Sequence, residues 1–405
     1  MKRLVFVGLL ALLAAPLAAQ DLAVKARVVH TVAGKPIQDG VVLVRGGKIA
    51  AVGTSADVKI PAGFELLEAA VVTPGLVDAH SSLGLAGILN YEHDKDELER
   101  SEALQPELRA LDAYNPREPL IEWVRGFGVT TVHTGHAPGA VISGQSIVVK
   151  LRGDTVDEAV LVKSAMLTAT LGEGATSRSD KSQPGTRSKA AALLREELVK
   201  AQAFVEKRKQ AEKDEKPLER DLGLETLARV LAGELPLLVT AHRAQDIATA
   251  LRLAQEFGFK LVLDGAAESY RMLDELKAAK VPVIVHATMF RAVGETENLS
   301  LETPGVLRKA GLQVALQSGY ESYVPRSRVL LFEAAEAAAY GLPFDDALAL
   351  ITLEPARILG LDQRLGSLEP GKDADLALYD GDPFEYTTHC IGVVIDGVVV
   401  SREKR

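Results

Sequence analysis

Between Val129 and Leu316 short apolar runs recur, most of them followed by a stretch with helical spacing, and this alternation restricts the fold more than any other feature. The runs are Val129 to Val132, Ile147 to Leu151, Leu237 to Thr240, Lys260 to Leu263, Val281 to Val285 and Gln313 to Leu316. Strand then helix, repeated, predicts parallel strands joined by crossover helices, which makes the central chain α/β. A central region of about 290 residues fits a closed (β/α)8 TIM-like barrel with insertions better than an open sheet.

The two ends read differently. Val24 to Val72 has short alternating strands broken by Gly and Pro, with Gly46-Gly47 as a turn. The closing segment has the same alternation, with Asp375 to Tyr379, a turn at Asp380 to Pro383, Cys390 to Ile395, the tight turn Asp396-Gly397, then Val398 to Val400. Residues 20–72 and 366–405 are therefore expected to form one composite β-sandwich domain, with the barrel spanning 73–365. An insertion at about 172–220 interrupts the barrel pattern. It holds the polar stretch Thr176 to Pro184 and a charged helix over Lys189 to Lys213 that stops before Pro217. Such a segment is either a solvated excursion or a lid over the C-terminal ends of the strands.

At the start, Lys2 and Arg3 precede an apolar run from Leu4 to Ala15, and Leu17-Ala18-Ala19 offers small residues for cleavage. That pattern predicts a cleaved signal peptide over residues 1–19 and export to the periplasm or the cell exterior. A run of about a dozen apolar residues is short of the roughly 20 that span a bilayer, and no later stretch is expected to span one. With 46 Lys and Arg against 55 Asp and Glu, the net charge of −9 supplies no basic surface for a phosphate backbone, which excludes nucleic acid as the expected partner. Cys390 is the only cysteine, so a metal site would have to use His, carboxylate or modified Lys.

The segment Val72-Thr73-Pro74-Gly75-Leu76-Val77-Asp78-Ala79-His80 ends a strand, and a His there faces the mouth of a barrel. This stretch resembles the amidohydrolase superfamily. Gly40 to Gly53 resembles the family's opening strands. Leu353-Glu354-Pro355-Ala356-Arg357-Ile358-Leu359-Gly360, followed by Gly366 to Leu376, resembles its closing signature. The resemblance covers nearly all of the chain after the leader and is strongest to exported, imidazolonepropionase-related members. It implies a hydrolase of carbon–nitrogen bonds in which one or two divalent ions, zinc among them, activate water and an acidic residue shuttles protons.

Carried over residue by residue, the pattern is incomplete. His80 matches the first ligand of strand one, but Ser82 stands where the family's second His is expected, and a hydroxyl is a poor substitute for imidazole at zinc. His242 matches the ligand of strand five. Gly265 follows strand six in place of a His, and Gly319 and Tyr320 follow strand eight in place of the metal-binding Asp. Asp264 and His286 are further candidates for a mononuclear site with His80 and His242, and Asp264 is the one candidate catalytic acid or base. Lys150 and Lys163 lie in the part of the chain where some members carry a bridging carboxylated Lys, without a basis for choosing either. Gln145, in Ile142-Ser143-Gly144-Gln145-Ser146, resembles a loop that shapes the pocket floor, and Arg243 flanks His242. His133 and His136 sit three apart after the second strand; ligand contact is expected of that segment before metal binding.

Two readings follow. In the favoured one the metal site is lost, catalysis is absent or strongly reduced, no cofactor is needed, and a small molecule or peptide is bound. In the alternative an active mononuclear metalloenzyme acts on peptides or cyclic amides. Either admits a homo-oligomer or pairing with an active homologue.

Overall fold

The computed structural model of the protein describes residues 21–89, 91–286, 292–320 and 330–405. The segment expected to be a signal peptide lies outside the described residues. Among them, no helix is long and apolar enough to cross a membrane.

Both ends of the chain build one sheet. β1 (Leu22–Val29), β2 (Ile37–Arg45), β3 (Lys48–Thr54) and β4 (Glu65–Pro74) join β15 (Leu376–Tyr379), β16 (Cys390–Ile395) and β17 (Val398–Ser401) in the order β17-β16-β15-β4-β1-β2-β3. Gly46 and Gly47 turn the β2–β3 hairpin with positive φ at both positions, which the twist of a tight hairpin demands. A β-sandwich is the expectation from sequence and is not shown; the hydrogen bonding forms one continuous sheet. The reason is the length of β4, whose Glu65 to Val72 runs parallel to β1 while Val71 to Pro74 runs antiparallel to β15. Leu22, Val24, Val42, Val44, Ile49, Val72, Leu376, Leu378 and Val394 from both chain ends share one core.

The middle of the chain supplies β5 (Leu76–Ser81), β6 (Val129–Thr134), β7 (Ile142–Gln145), β8 (Ile147–Lys150), β9 (Val160–Val162), β10 (Leu167–Thr170), β11 (Leu237–Ala241), β12 (Leu261–Gly265), β13 (Val283–Val285) and β14 (Val314–Leu316). β10 to β14 pair in sequence, all parallel, and β5 pairs parallel to β6. A parallel bridge between Ser81 and Gly319 joins the β14 end to the β5 end. Ala79, Met166, Leu238, Val262, Ile284 and Ala315, drawn from these strands or their edges, form a compact apolar layer between them.

One stave departs from expectation. Ile147 to Leu151 is expected to be parallel, but β8 runs antiparallel to β6 and β7 antiparallel to β10. Only Gly135 to Val141 separates β6 from β7, too short a link for the dozen or more residues of a parallel crossover. β10 carries no sequence signal of its own, because Leu-Thr-Ala-Thr offers no sustained apolar run. The insertion forms the helix Arg187–Lys213, capped by the Thr186 hydroxyl accepting from the Lys189 amide. Its stripe of Ala190, Leu194, Leu198, Ala201 and Phe204 is buried, and the helix packs against the helix Leu222–Leu231.

Candidate functional site

Side chains from the ends of β5, β11 and β14 converge on Asp264, a fully buried carboxylate in β12. Thr240 lies opposite it in the β11 register, and its hydroxyl donates to Oδ2 at 2.7 Å. Gln317, just past β14, donates from Nε2 to Oδ1 at 2.9 Å. His80 reaches the same Oδ1 with Nδ1 at 3.0 Å. The β5–β6 register slips between Asp78 and Ser81, and such an irregularity re-aims side chains, which places the His80 ring inward. Burial pushes the Asp264 carboxyl up, but the electrostatic pull of His80 and the hydrogen bonds from His80 and Thr240 outweigh it and hold it below the ordinary value. Asp264 is thus an ionised acceptor, and His80 Nδ1 carries the proton between them.

Behind this group stands a second buried acid. Asp78 accepts from the Ser318 amide at 3.0 Å, from the Ser318 hydroxyl and from the His80 amide at 3.3 Å. Burial raises its pKa to about 6 despite these donors. It thereby fixes the turn after β14 against the strand that carries His80.

His133, at the end of β6, is a strut. Nδ1 donates to the Ala79 carbonyl at 2.7 Å, and Nε2 accepts from the Ser146 hydroxyl at 2.7 Å. Burial lowers its pKa to about 3, so the ring is neutral and both nitrogens are committed. His242 lies beyond β11 with its pKa lowered by burial. Its ring rests on Gly265: a Cβ at Gly265 would lie 2.5 Å from His242 Cε1. Gly265 has φ +73, a conformation that favours glycine. His286 is buried next to this pair, its amide donating to the Gly265 carbonyl at 2.9 Å. Tyr320 sets its ring 5.5 Å from that of His80, and Ser82 is buried at the start of the turn after β5. Gly319 forms the bridge to Ser81.

Other expected positions lie elsewhere. Gln145 donates to the Pro106 carbonyl and the Thr226 hydroxyl and accepts from Ser164, and none of these hydrogen bonds reaches the His80 group. Arg243 binds the Gly294 carbonyl at 2.9 Å and Glu297 at 3.0 Å. Lys150 is no metal bridge: its buried ammonium meets Asp373 at 2.9 Å, Asp375 at 3.1 Å and Asp396, tying β8 to the sheet of the chain ends. Lys163 is exposed beside Asp157. Thr240, Gln317, Asp78 and Ser318 are site residues that sequence reasoning misses. A signal for Thr240 exists, since it stands in β11 two residues before His242, whereas Gln317 and Ser318 carry no pattern.

The residues present do not fit a family-type metal centre. Asp264 has both oxygens taken by three donors, Ser82, Gly265 and Gly319 bring no imidazole or carboxylate, and among the described residues no three His, Cys, Asp or Glu side chains converge to hold an ion.

The amidohydrolase family model matches residues 307–401. Amidohydrolase tasK of Hapsidospora irregularis is 27% identical over 88% of this chain, which spans 39% of that protein's length. The imidazolonepropionase of Rhizorhabdus wittichii is 26% identical over 85% of this chain and 88% of its own. A zinc-bound adenosine deaminase from Xanthomonas campestris shares the fold at 16% identity and a TM-score of 0.54. The crystal structure of an amidohydrolase from Thermotoga maritima is 35% identical, covers 94% of this chain and all of its own, and superposes with a TM-score of 0.89. With that identity over nearly the full length of both, and the strand-end His80 and His242 in place, the chain belongs to the amidohydrolase superfamily.

Proposed function

We propose that this chain is an amidohydrolase-fold protein that has exchanged the family's metal-dependent hydrolysis of carbon–nitrogen bonds for recognition of a small molecule or peptide at the mouth of a (β/α)8-type barrel. The observation that carries this reading is the engagement of both Asp264 oxygens by three donors. A carboxylate accepting from His80, Thr240 and Gln317 has three of its about four acceptor sites engaged, and a divalent cation would have to compete with those donors. Losing one outer partner of a metal ligand typically costs about 10 to 100-fold in affinity or activity, so the loss of three ligand positions weighs far more.

A second reading is supported by the same centre. His80 is 1% exposed and its Nε2 has no hydrogen-bond partner among the described residues, while His242 is near enough to Asp264 to feel its charge. These three would be the ligands of a mononuclear site if His80 and His242 turned toward one ion, and zinc, which a fold relative carries, is the ion to test.

Elemental analysis of the protein purified without chelator, before and after zinc or manganese loading, separates the two. Less than about a tenth of an ion per chain, with no turnover of dipeptides or cyclic amides, is expected. About one ion per chain, with hydrolysis abolished in both His80→Ala and His242→Ala, overturns the proposal in favour of the metalloenzyme.

A further inference from the structure

A cavity of about 940 Å³ lies at the end of the parallel strands opposite to Asp264, within the roughly 300–1,000 Å³ of small-molecule sites. Pro236, Lys260, Pro282 and Gln313 line it, and each directly precedes one of β11 to β14, whereas His242 and Gln317 directly follow β11 and β14. The helices Ala244–Phe257 and Leu273–Ala279 flank it. Its inner wall is apolar: Leu251, Phe259 and Met272 line it, and it reaches Val262 and Ile358 at the apolar layer between the strands.

The exposed part of the lining is basic. Arg252, Lys260, Lys280 and Arg357 stand against one acid, Glu275. Arg357 is paired with Glu354 at 2.8 Å, but among the described residues Arg252, Lys260 and Lys280 make no ion pair. Lys280 also holds a left-handed backbone, φ +53 and ψ +39, just past the helix Leu273–Ala279. A Cβ is costly in that conformation, and glycine is the usual residue at such a helix end. The neighbouring helices keep to that usage, with Gly258 (φ +75) after Ala244–Phe257 and Gly311 (φ +83) after Thr303–Lys309. A lysine in place of glycine at the cavity edge points to a use for its ammonium.

We propose that this cavity is an accessory site for a medium-chain carboxylate, whose hydrocarbon tail lies on Leu251, Phe259 and Met272 and whose carboxylate meets Lys280 and Lys260. The tail takes apolar wall out of water, and the unpaired ammoniums supply the complementary charge. A single negative charge is selected over two, because Glu275 and the C-terminal ends of both flanking helices repel a second. The site is separate from the group around Asp264, so the inference stands whether or not those strand ends hold an ion.

The test is titration calorimetry of the full chain with decanoate below its micellar concentration. Saturable binding of about one equivalent is expected, and decyltrimethylammonium, with the same chain and the opposite charge, should bind about tenfold more weakly. Lys280→Gly removes the ammonium and relieves the backbone, so the melting temperature should hold or rise while decanoate binding weakens about fivefold, the worth of one partly solvated ion pair. Ala278→Phe, at an exposed helix position in the lining, places a ring in the cavity and should abolish binding. Absence of saturable decanoate binding, equal affinity for the cation, or binding that either variant leaves unchanged overturns the proposal. Decanoate affinity should be the same before and after zinc loading; displacement by zinc would place decanoate at the other end of the strands and overturn this site.

Discussion

His80 and Asp264 stand 184 positions apart in sequence and 3.0 Å apart in space, and their contact ties the first inner strand to the strand that faces it across the site. Among the described residues it is the sole hydrogen bond of the His80 ring and one of three to Asp264. The carboxylate is therefore the hub and the buried imidazole one of its three donors. Charge-assisted hydrogen bonds of this type are roughly twice as strong as neutral ones, which lets a fully buried anion remain ionised.

Removing one donor from that hub should be felt as stability. Thr240→Val keeps the shape of the side chain and leaves Asp264 Oδ2 without its donor, which is expected to cost about 1–3 kcal/mol in urea unfolding. Thr387→Val, on an exposed turn, is the control and should change stability by less than about 0.5 kcal/mol.

Asp78 predicts a pH dependence. Its pKa is about 6 in the folded protein against an ordinary 3.8, so the folded state holds an extra proton between these values. Stability from this group is fully present below about pH 4 and is lost as pH rises through 6, amounting to about 3 kcal/mol. The deeply lowered Asp373, at about 2, contributes in the opposite sense at more acid pH, so the comparison must be made against Asp78→Asn, which keeps Asp373 and removes only the Asp78 titration. Between pH 4 and 7 the unfolding free energy of the unaltered chain should fall relative to that of Asp78→Asn by about 3 kcal/mol. Parallel curves would show that Asp78 does not titrate there.

The fold is legible where periodicity is long. The turns at Gly46-Gly47 and Asp396-Gly397, the strands after Leu237 and Lys260 and the helix over Lys189 to Lys213 follow from patterns that local physics imposes. β10 and the antiparallel course of β7 and β8 are hidden, since a four-residue strand has no period and strand direction depends on link length. His80, His242 and Asp264 can be named from sequence because ligand types at strand ends are conspicuous. Their pairing cannot, because Gln317 and the Asp78–Ser318 contact arise from long-range closure of the strands.

Lys150 and Lys163, indistinguishable in sequence, should part company in the test tube. Lys150→Met leaves Asp373, Asp375 and Asp396 without their shared ammonium, and breaking a buried ion pair on one side costs about 3–5 kcal/mol. Lys163→Met touches only an exposed pair with Asp157 and should stay within about 0.5 kcal/mol. Thermal unfolding of the two variants measures this, and equal melting temperatures would refute the structural role given to Lys150.

Gly265 separates backbone strain from site packing. Gly265→Ala would place a methyl group 2.5 Å from His242 Cε1 at a φ of +73, so the variant bears both the left-handed backbone cost and displacement of the ring. Gly360 has a similar φ of +69 with nothing within 4 Å of the added carbon, so Gly360→Ala reports the backbone cost alone, of order 1–3 kcal/mol. The excess loss in Gly265→Ala over Gly360→Ala then measures the His242 contact, and the His242 ring resonances should shift only in the former. Equal losses, with unshifted resonances, would mean that the His242 ring does not rest on Gly265 in solution.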